Sequence, residues 1–466
     1  MKRRFQRPSN EMRTEDSRDV LMNRESKTRR SLRKRGFVLF SLGTLVLIAI
    51  LSASYVLSFR PLTTSTSTTL STDLAPSQVT STTSVPISQG QAVMSERGWR
   101  SSVLSATYNT SAISSISCPE IKTCVAVGVA GQSASTEFKG YSGLVLTTSD
   151  DGQNWKSSTL PSGIGGLSSV SCNSSALCIA VGEGPGANSG AIISSSDFGS
   201  TWKEEAAPQM GKLAGLSCSA TGFCMAFGRA TGGQVLEVAT LISNTWNAIS
   251  TESLAQSTKG CSNCAVSTPA GSTTIQSVTC ESGDYCILGG TVTNAQSGAE
   301  NGFISVTTNG GVTWSKSSLP ISISSIANVV CQNGGPCLAG GTISSGNGSG
   351  PGIAAVLTSS DSGATWKVLS QVGAINGLTD LACYVNTCMA TGYQVEVQRA
   401  TSGSPLVSIT ESVVLESNDG GTTWQSVASL ASGNELLSVG CDPQGSCMAG
   451  GTTRDYQQGI VIHGSN

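Results

Sequence analysis

The chain runs to 466 residues, with 27 Lys/Arg against 29 Asp/Glu, a net charge of −2, one histidine and 16 cysteines. Only 12% of residues are charged and 5% aromatic, which excludes a basic nucleic-acid-binding body and an aromatic-rich core. The charge is uneven: residues 1–36 hold 13 Lys/Arg and 5 Asp/Glu, a local +8 that leaves −10 for the remainder.

Residues 1–36 read as a basic cytoplasmic tail. The rival reading, a nucleic-acid arm, is disfavoured by the adjoining apolar segment. Residues 37–58 (FVLFSLGTLVLIAILSASYVLS) carry no charge, and a helix of this length spans roughly 33 Å, enough for a hydrocarbon core. Arg33, Lys34 and Arg35 precede the segment and only Arg60 comes closely after it. This asymmetry predicts a single-pass anchor with the N-terminus inside and the rest of the chain outside the cell membrane. A cleaved signal peptide is the alternative; its apolar core is usually shorter and ends at small residues. Residues 59–96 are rich in Ser and Thr, with no aromatic residue between Pro61 and Gln91. Such a segment cannot bury enough apolar area to offset its chain entropy, and is expected to be a stalk.

The remainder, 97–466, repeats. Its seven tryptophans are Trp99, Trp155, Trp202, Trp246, Trp314, Trp366 and Trp424. After six of them a cysteine stands at 16 to 19 residues: Cys118, Cys172, Cys218, Cys331, Cys383 and Cys441. After Trp246 the cysteine is Cys280, at 34, because an insertion (Thr251–Thr274) intervenes. Each cysteine has a second one five or six residues on: Cys124, Cys178, Cys224, Cys337, Cys388 and Cys447, with Cys286 after Cys280. A period near 50 residues, short apolar runs and dense turn residues predict an all-β fold, a seven-bladed propeller of four-stranded antiparallel blades preceded by one transmembrane helix.

All 16 cysteines lie beyond the apolar span. Even number, paired spacing and an exported location predict disulfides Cys118–Cys124, Cys172–Cys178, Cys218–Cys224, Cys280–Cys286, Cys331–Cys337, Cys383–Cys388 and Cys441–Cys447. Cys261–Cys264, within the insertion, reads as a short disulfide loop, with a redox CxxC as the alternative. Zinc is disfavoured: the spacing is mainly C-x5-C and the one histidine is His463. No metal or cofactor is expected.

Within a repeat, strand A ends at the first cysteine and strand B starts at the second, running through Ala-Val-Gly or Ala-Gly-Gly. Strand C is an apolar run such as Leu144–Thr147, and strand D starts at the tryptophan. Between C and D lies the pattern S/T-x-D-x-G-x-T/N-W. It is met by Thr148, Asp150, Gly152, Asn154 and Trp155; by Ser195, Asp197, Gly199, Thr201 and Trp202; by Ser359, Asp361, Gly363, Thr365 and Trp366; and by Ser417, Asp419, Gly421, Thr423 and Trp424. Thr307, Asn309, Gly311, Thr313 and Trp314 fit with Asn for Asp. The blade at Trp246 keeps Thr245 but lacks the Asp and Gly.

This pattern resembles the Asp-box, or BNR repeat, of β-propellers. The aspartate accepts backbone N–H groups inside the turn, the glycine takes a positive φ, and the tryptophan packs between neighbouring sheets. The resemblance implies a structural element facing away from the usual active site rather than a ligand or calcium site. The ending IVIHGSN aligns with VVLESND before Trp424, placing Asn466 at an aspartate position. The missing half is expected from Gly98, Trp99 and Ser101–Leu104, so that residues 97–104 close the last blade. Residues 97–466 allow about 53 residues per blade.

Disulfides and turns of this kind then share one face, and the variable segments share the other: Ala130–Tyr141, Gly182–Ser189, Thr293–Asn301, Ser344–Pro351, Tyr393–Pro405 and the insertion. Propellers of this type include sialidases, whose arginine triad and Arg-Ile-Pro motif imply catalysis. Here Arg-Ile-Pro is absent and only Arg97, Arg100, Arg229, Arg399 and Arg454 are present in the ring. Top-loop acids Glu137, Glu183, Glu300 and Glu396 exist, but nothing in the sequence pairs them as a glycosidase requires. The repeats are also similar to the photosystem II stability and assembly factor family, and more distantly to the ten-bladed domain of sortilin, which implies a non-catalytic platform. The expectation is a membrane-anchored module that binds a protein or glycan, but not nucleic acid, on its loop face; an exported sialidase-like glycoside hydrolase is the alternative. The low charge density after the tail, 24 acidic and 14 basic residues in 430, suggests a surface tolerant of an acidic exterior.

Overall fold

The structure is a computed structural model. It describes residues 99–104, 110–131, 141–186, 189–229, 236–249, 272–294, 297–320, 322–332, 335–344, 352–398, 407–430, 433–453 and 458–464. The basic tail, the apolar span, the stalk, Gly98, Asn466 and the Cys261–Cys264 pair lie outside the described residues.

Twenty-eight strands, numbered in chain order, build seven antiparallel four-stranded sheets. β1 is Trp99–Val103. The first blade is β2–β5 (Thr110–Glu120, Thr123–Ala130, Ser142–Thr148, Lys156–Ser157), and the second is β6–β9 (Leu167–Cys172, Cys178–Glu183, Gly190–Ser195, Lys203–Glu204). The third is β10–β13 (Leu213–Cys218, Cys224–Arg229, Leu236–Ile242, Thr245–Ile249), and the fourth is β14–β17 (Ser272–Ser282, Tyr285–Thr293, Glu300–Thr307, Ser315–Lys316). The fifth is β18–β21 (Ile323–Cys331, Cys337–Ile343, Ile353–Ser359, Lys367–Val372), and the sixth is β22–β25 (Gly377–Tyr384, Thr387–Gln398, Val407–Ser417, Gln425–Ser429). The seventh takes β26–β28 (Glu435–Cys441, Cys447–Thr452, Gly459–Gly464) from the C-terminal side and β1 as its outer strand, in the order β26-β27-β28-β1. Trp99 pairs with Gly464 and Val103 with Ile460, so the two ends of the ring are joined by a backbone ladder.

Two expectations are refined. Strand D starts one residue after the tryptophan in β5, β9, β17, β21 and β25, at the tryptophan itself in β1 and one residue before it in β13, and it is only two residues long in β5, β9 and β17. The last three residues of the insertion, Ser272–Thr274, already belong to β14.

The core lies between blades. Trp155 packs with Ile113, Ile116 and Leu146 of its own blade and with Met448 and Val461 of the seventh. Trp314 likewise joins Met225, Phe227 and Val238 of the preceding blade, and Trp99 joins Met389 and Val414 of the sixth. Each of these tryptophans therefore seals one seam. The small residues of strand B become intelligible in this light: they admit the neighbouring blade.

One glycine per blade has a sharper cause. Every strand A shifts register by one residue, at Ile113/Ser115, Leu167/Ser169, Leu213/Gly215, Ile275/Ser277, Ile326/Asn328, Leu378/Asp380 and Leu436/Ser438. Such a bulge turns a carbonyl toward strand B. A Cβ on Gly451 would sit 1.8 Å from the Glu435 carbonyl oxygen, and one on Gly290 2.1 Å from that of Thr274. Gly128, Gly182, Gly228, Gly341 and Gly392 occupy the same place in the other blades. Gly451→Ala is expected to cost about 1–3 kcal/mol or more by forcing backbone apart. Urea unfolding of the variant checks this; an unchanged midpoint would show that the bulge yields freely.

Candidate functional site

The seven A–B hairpins are each closed by the disulfide between their two cysteines, with Cα–Cα separations of 4.0 to 4.2 Å. The C–D turns lie at the same end of the sheets and are bonded to these hairpins. Asp151 N–H donates to the Lys122 carbonyl, Phe198 to Ala176, Gly310 to Asp284 and Gly420 to Asn386.

Within each turn the polar groups serve one another. Ser195 Oγ donates to Asp197 Oδ1 at 2.7 Å, and Gly199 N–H donates to Ser195 Oγ at 2.9 Å. Thr201 donates to Asp197 through both its N–H (2.9 Å) and its hydroxyl (2.6 Å). The same set recurs at Asp150, Asp361 and Asp419, and at Asn309 with its amide turned to Thr313. Gly152, Gly199, Gly311, Gly363 and Gly421 have φ between 75° and 90°, and the residue before each is also left-handed, at Asp151, Phe198, Gly310, Ser362 and Gly420. The Thr365 hydroxyl and N–H hold the Asp361 carboxyl at about 2, and Thr423 does the same for Asp419. These carboxylates have their donors already and stay charged well into acid.

Trp202, Trp366 and Trp424 each donate the indole N–H to the turn glycine's carbonyl, at 2.8 to 2.9 Å. At Trp246 a two-residue hairpin replaces the turn: Ser243 and Asn244 have φ of 49° and 61°, the type I′ geometry. With no turn glycine to receive it, the Trp246 indole N–H is buried without a hydrogen-bond partner among the described residues. Further bonds run to the next blade: Ser158, Ser317 and Ser370 donate to the carbonyls of Gly199, Gly363 and Gly421. Glu281, Cys331 and Cys337 also meet at this end, but both sulfurs are in a disulfide and cannot serve as thiolate ligands.

The seven A strands enclose a channel of about 250 Å³. The bulge places one residue of each strand at equivalent positions around it: Ser115, Ser169, Gly215, Ser277, Asn328, Asp380 and Ser438. These side chains bond across the seams. Ser115 Oγ accepts from Val170 N–H, Ser277 from Val329, and Ser438 from Ile116. Further along the same strands, Ser117, Ser171 and Ser217 accept from the N–H groups of Cys172, Cys218 and Cys280. The Ser-x-Ser-Cys spacing before Cys118 and Cys172 carries this signal, which a search at the scale of the blade repeat does not pick out.

Asp380 is the one ionisable residue among the described lining of the channel. Its Oδ2 accepts from Val439 N–H at 2.8 Å, and its Oδ1 accepts from Leu381 N–H at 2.9 Å and from Asn328 Nδ2 at 2.5 Å. It opens on the channel but is encircled by protein, and this burial pushes its carboxyl up to about 6 despite the donors.

The loop end holds the remaining candidates. Glu183 is paired with Lys212 of the next blade at 2.6 Å. Glu300 is exposed at the start of β16. Arg229 ends β11 at this end, whereas Arg100, opposite His463 and one strand from Met448 beside the Cys447 disulfide, lies at the hairpin end. Glu137, Arg97, Arg399 and Arg454 lie outside the described residues, as does the side chain of Glu396. The segment Tyr393–Pro405 is strand as far as Gln398: the β23–β24 ladder runs 11 pairs, from Cys388–Ser417 to Gln398–Val407, against 6 pairs in β7–β8. The excess extends this ribbon by roughly 17 Å at the usual rise.

No family model matches the chain, and no curated protein is recognisably similar to it. Among solved structures, YCF48 bound to D1 peptide is similar at 16% identity over 80% of this chain and 99% of that one, with a TM-score of 0.49. YCF48 from Cyanidioschyzon merolae gives 14% identity, 79% and 98% coverage and a TM-score of 0.33. A polysaccharide lyase of family PL25, an ulvan lyase bound to its sugar, gives 9% identity, 77% and 95% coverage and a TM-score of 0.47.

Proposed function

We propose that the ring is a non-catalytic binding module, held outside the cell by the apolar span 37–58, that takes a protein or glycan at its loop end. The observation that carries this reading is the division of labour between the two ends. At the hairpin end, the disulfides and the turn aspartates spend their bonding groups on the fold itself. At the loop end the blades differ in length, and the β23–β24 ribbon projects beyond its neighbours. Variable loops on a repeated rigid frame are the usual place for recognition. Disulfides in every blade support an oxidising location. The turn pattern supports placing the ring with the Asp-box propellers.

A glycan array and a panel of fluorogenic glycosides, both applied to the full chain, test the reading. Retained glycan or protein ligand without turnover is the expected result. Hydrolysis that disappears on Glu300→Gln or Glu183→Gln would replace binding by glycosidase chemistry.

A further inference from the structure

Asn328 and Asp380 face each other across the seam between the fifth and sixth blades. Asn328 Nδ2 donates to Asp380 Oδ1, which fixes the amide orientation: a flip would oppose its oxygen to the carboxylate. That orientation leaves Asn328 Oδ1 buried with no hydrogen-bond partner among the described residues. An orphaned buried acceptor costs about 1–3 kcal/mol, so its presence beside a carboxyl group calls for a donor. A carboxyl that takes up a proton gains the O–H that this carbonyl lacks.

We infer that Asn328 and Asp380 form a proton-operated clasp between adjacent blades. On protonation the Asp380 O–H donates to Asn328 Oδ1 while Asn328 Nδ2 continues to donate to the Asp380 carbonyl oxygen, so that acid and amide are joined by two reciprocal bonds. The proton comes from solvent through the channel, and the single negative charge of the described lining disappears. Val439 N–H and Leu381 N–H stay bonded to the carboxyl oxygens, so the seventh blade remains attached.

The surroundings favour this chemistry. The groups that face Asp380 are Asn328 on β18, Ser438 on β26 and Thr379 beside it, all uncharged. Apart from disulfide cysteines, β18, β19 and β20 carry no ionisable residue. Tyr393 of β23 covers Gly377 at the loop end, Glu435 of β26 stands in register with Thr452, and Glu396 of β23 stands in register with Ile409 in the projecting ribbon. Neither Tyr393 nor Glu435 is among the described lining of the channel. Among the described residues no cation offsets the carboxylate, and burial has already raised its carboxyl to about 6.

The sign comes from linkage. A carboxyl raised on folding contributes stability that is fully present below its unfolded value near 3.8 and is lost as pH rises through about 6. The turn aspartates Asp361 and Asp419, at about 2, remain ionised throughout this window and cancel out. The full chain should therefore fold about tenfold more favourably at pH 5 than at pH 7.5 through this one group.

Asp380→Asn removes the titrating group; because an amide nitrogen turned toward Asn328 Oδ1 takes the acceptor from Val439 N–H, the variant is read by its pH dependence and not by its absolute stability. It is expected to remove the tenfold contribution, so that the pH dependence left in the variant is that of other groups such as Glu281, whose carboxyl burial also raises. Urea unfolding at the two pH values reads the difference. An independent reading that needs no variant is a carbon-13 titration of the aspartate carboxyls in the intact chain: one resonance with a midpoint near 6 is expected. If every aspartate titrates below pH 5, or if Asp380→Asn keeps the full pH dependence, there is no clasp.

Discussion

Reducing the seven hairpin disulfides is expected to abolish cooperative folding of the ring at room temperature. Each bond closes a loop of about seven residues, worth roughly 2 kcal/mol in the chain-entropy account. Seven of them together match the whole stability of an ordinary domain, about 5–15 kcal/mol. The ring has little else to draw on: each seam holds one tryptophan among mainly aliphatic residues, with Phe227 and Phe303 added at the Trp314 seam, and 54 glycines raise the entropy of the unfolded chain. The cysteines also fill core space, since Cys124, Cys178, Cys224, Cys286 and Cys388 are fully buried, so the bonds and the packing fail together. Near-ultraviolet circular dichroism of the tryptophans, monitored during titration with a thiol reductant, would show the loss. A signal that survives complete reduction would move the source of stability to the seams. Removing one bond alone, by Cys172→Ala with Cys178→Ala, should lower the unfolding free energy by about 2 kcal/mol.

Trp99→Ala is expected to be the most damaging single tryptophan substitution. Truncating a buried aromatic residue costs about 3–5 kcal/mol through lost burial and the cavity left behind. Trp99 packs with Met389, Val414, Val427 and Leu430, across the seam between the sixth and seventh blades. It is also the first residue of the strand that covers the edge of β28. Loss of its anchor therefore weakens both a core and the ladder that joins the two ends of the ring. Trp202 is half-buried, and its blade is joined to its neighbours by continuous chain, so Trp202→Ala should cost less. Urea unfolding ranks the two variants. Amide hydrogen exchange at Val461 and His463, whose N–H groups face β1 in the closing ladder, should accelerate in Trp99→Ala and not in Trp202→Ala. Equal exchange in both would mean that β1 does not hold the ring shut.

Most of the architecture was legible because its causes are local. The Asp-x-Gly-x-Thr-Trp spacing is a complete hydrogen-bonding unit within eight residues, and Asp197 with Ser195 and Thr201 forms it unaided. Cysteines six apart can reach each other only across a tight hairpin. The residue before each turn glycine was harder to read, because Asp151, Phe198 and Ser362 adopt a left-handed backbone that their identities do not announce. The channel was not legible. Ser115, Asn328 and Asp380 stand dozens of residues apart, and only the register shift in each inner strand sets them at the same height. In sequence, Asp380 is one acidic residue among many.

The sequence by itself determined the number of blades, the place of each hairpin and turn, and the use of Trp99 to complete the last sheet. These rest on periodicity, paired spacing and turn chemistry, which act over a few residues. Only the tertiary structure decided that a glycine in every strand B answers a bulge in strand A, and that one carboxyl group stands without a cation beside an orphaned amide oxygen. Those outcomes depend on distances between segments some 50 residues apart, and closing the ring is what sets them.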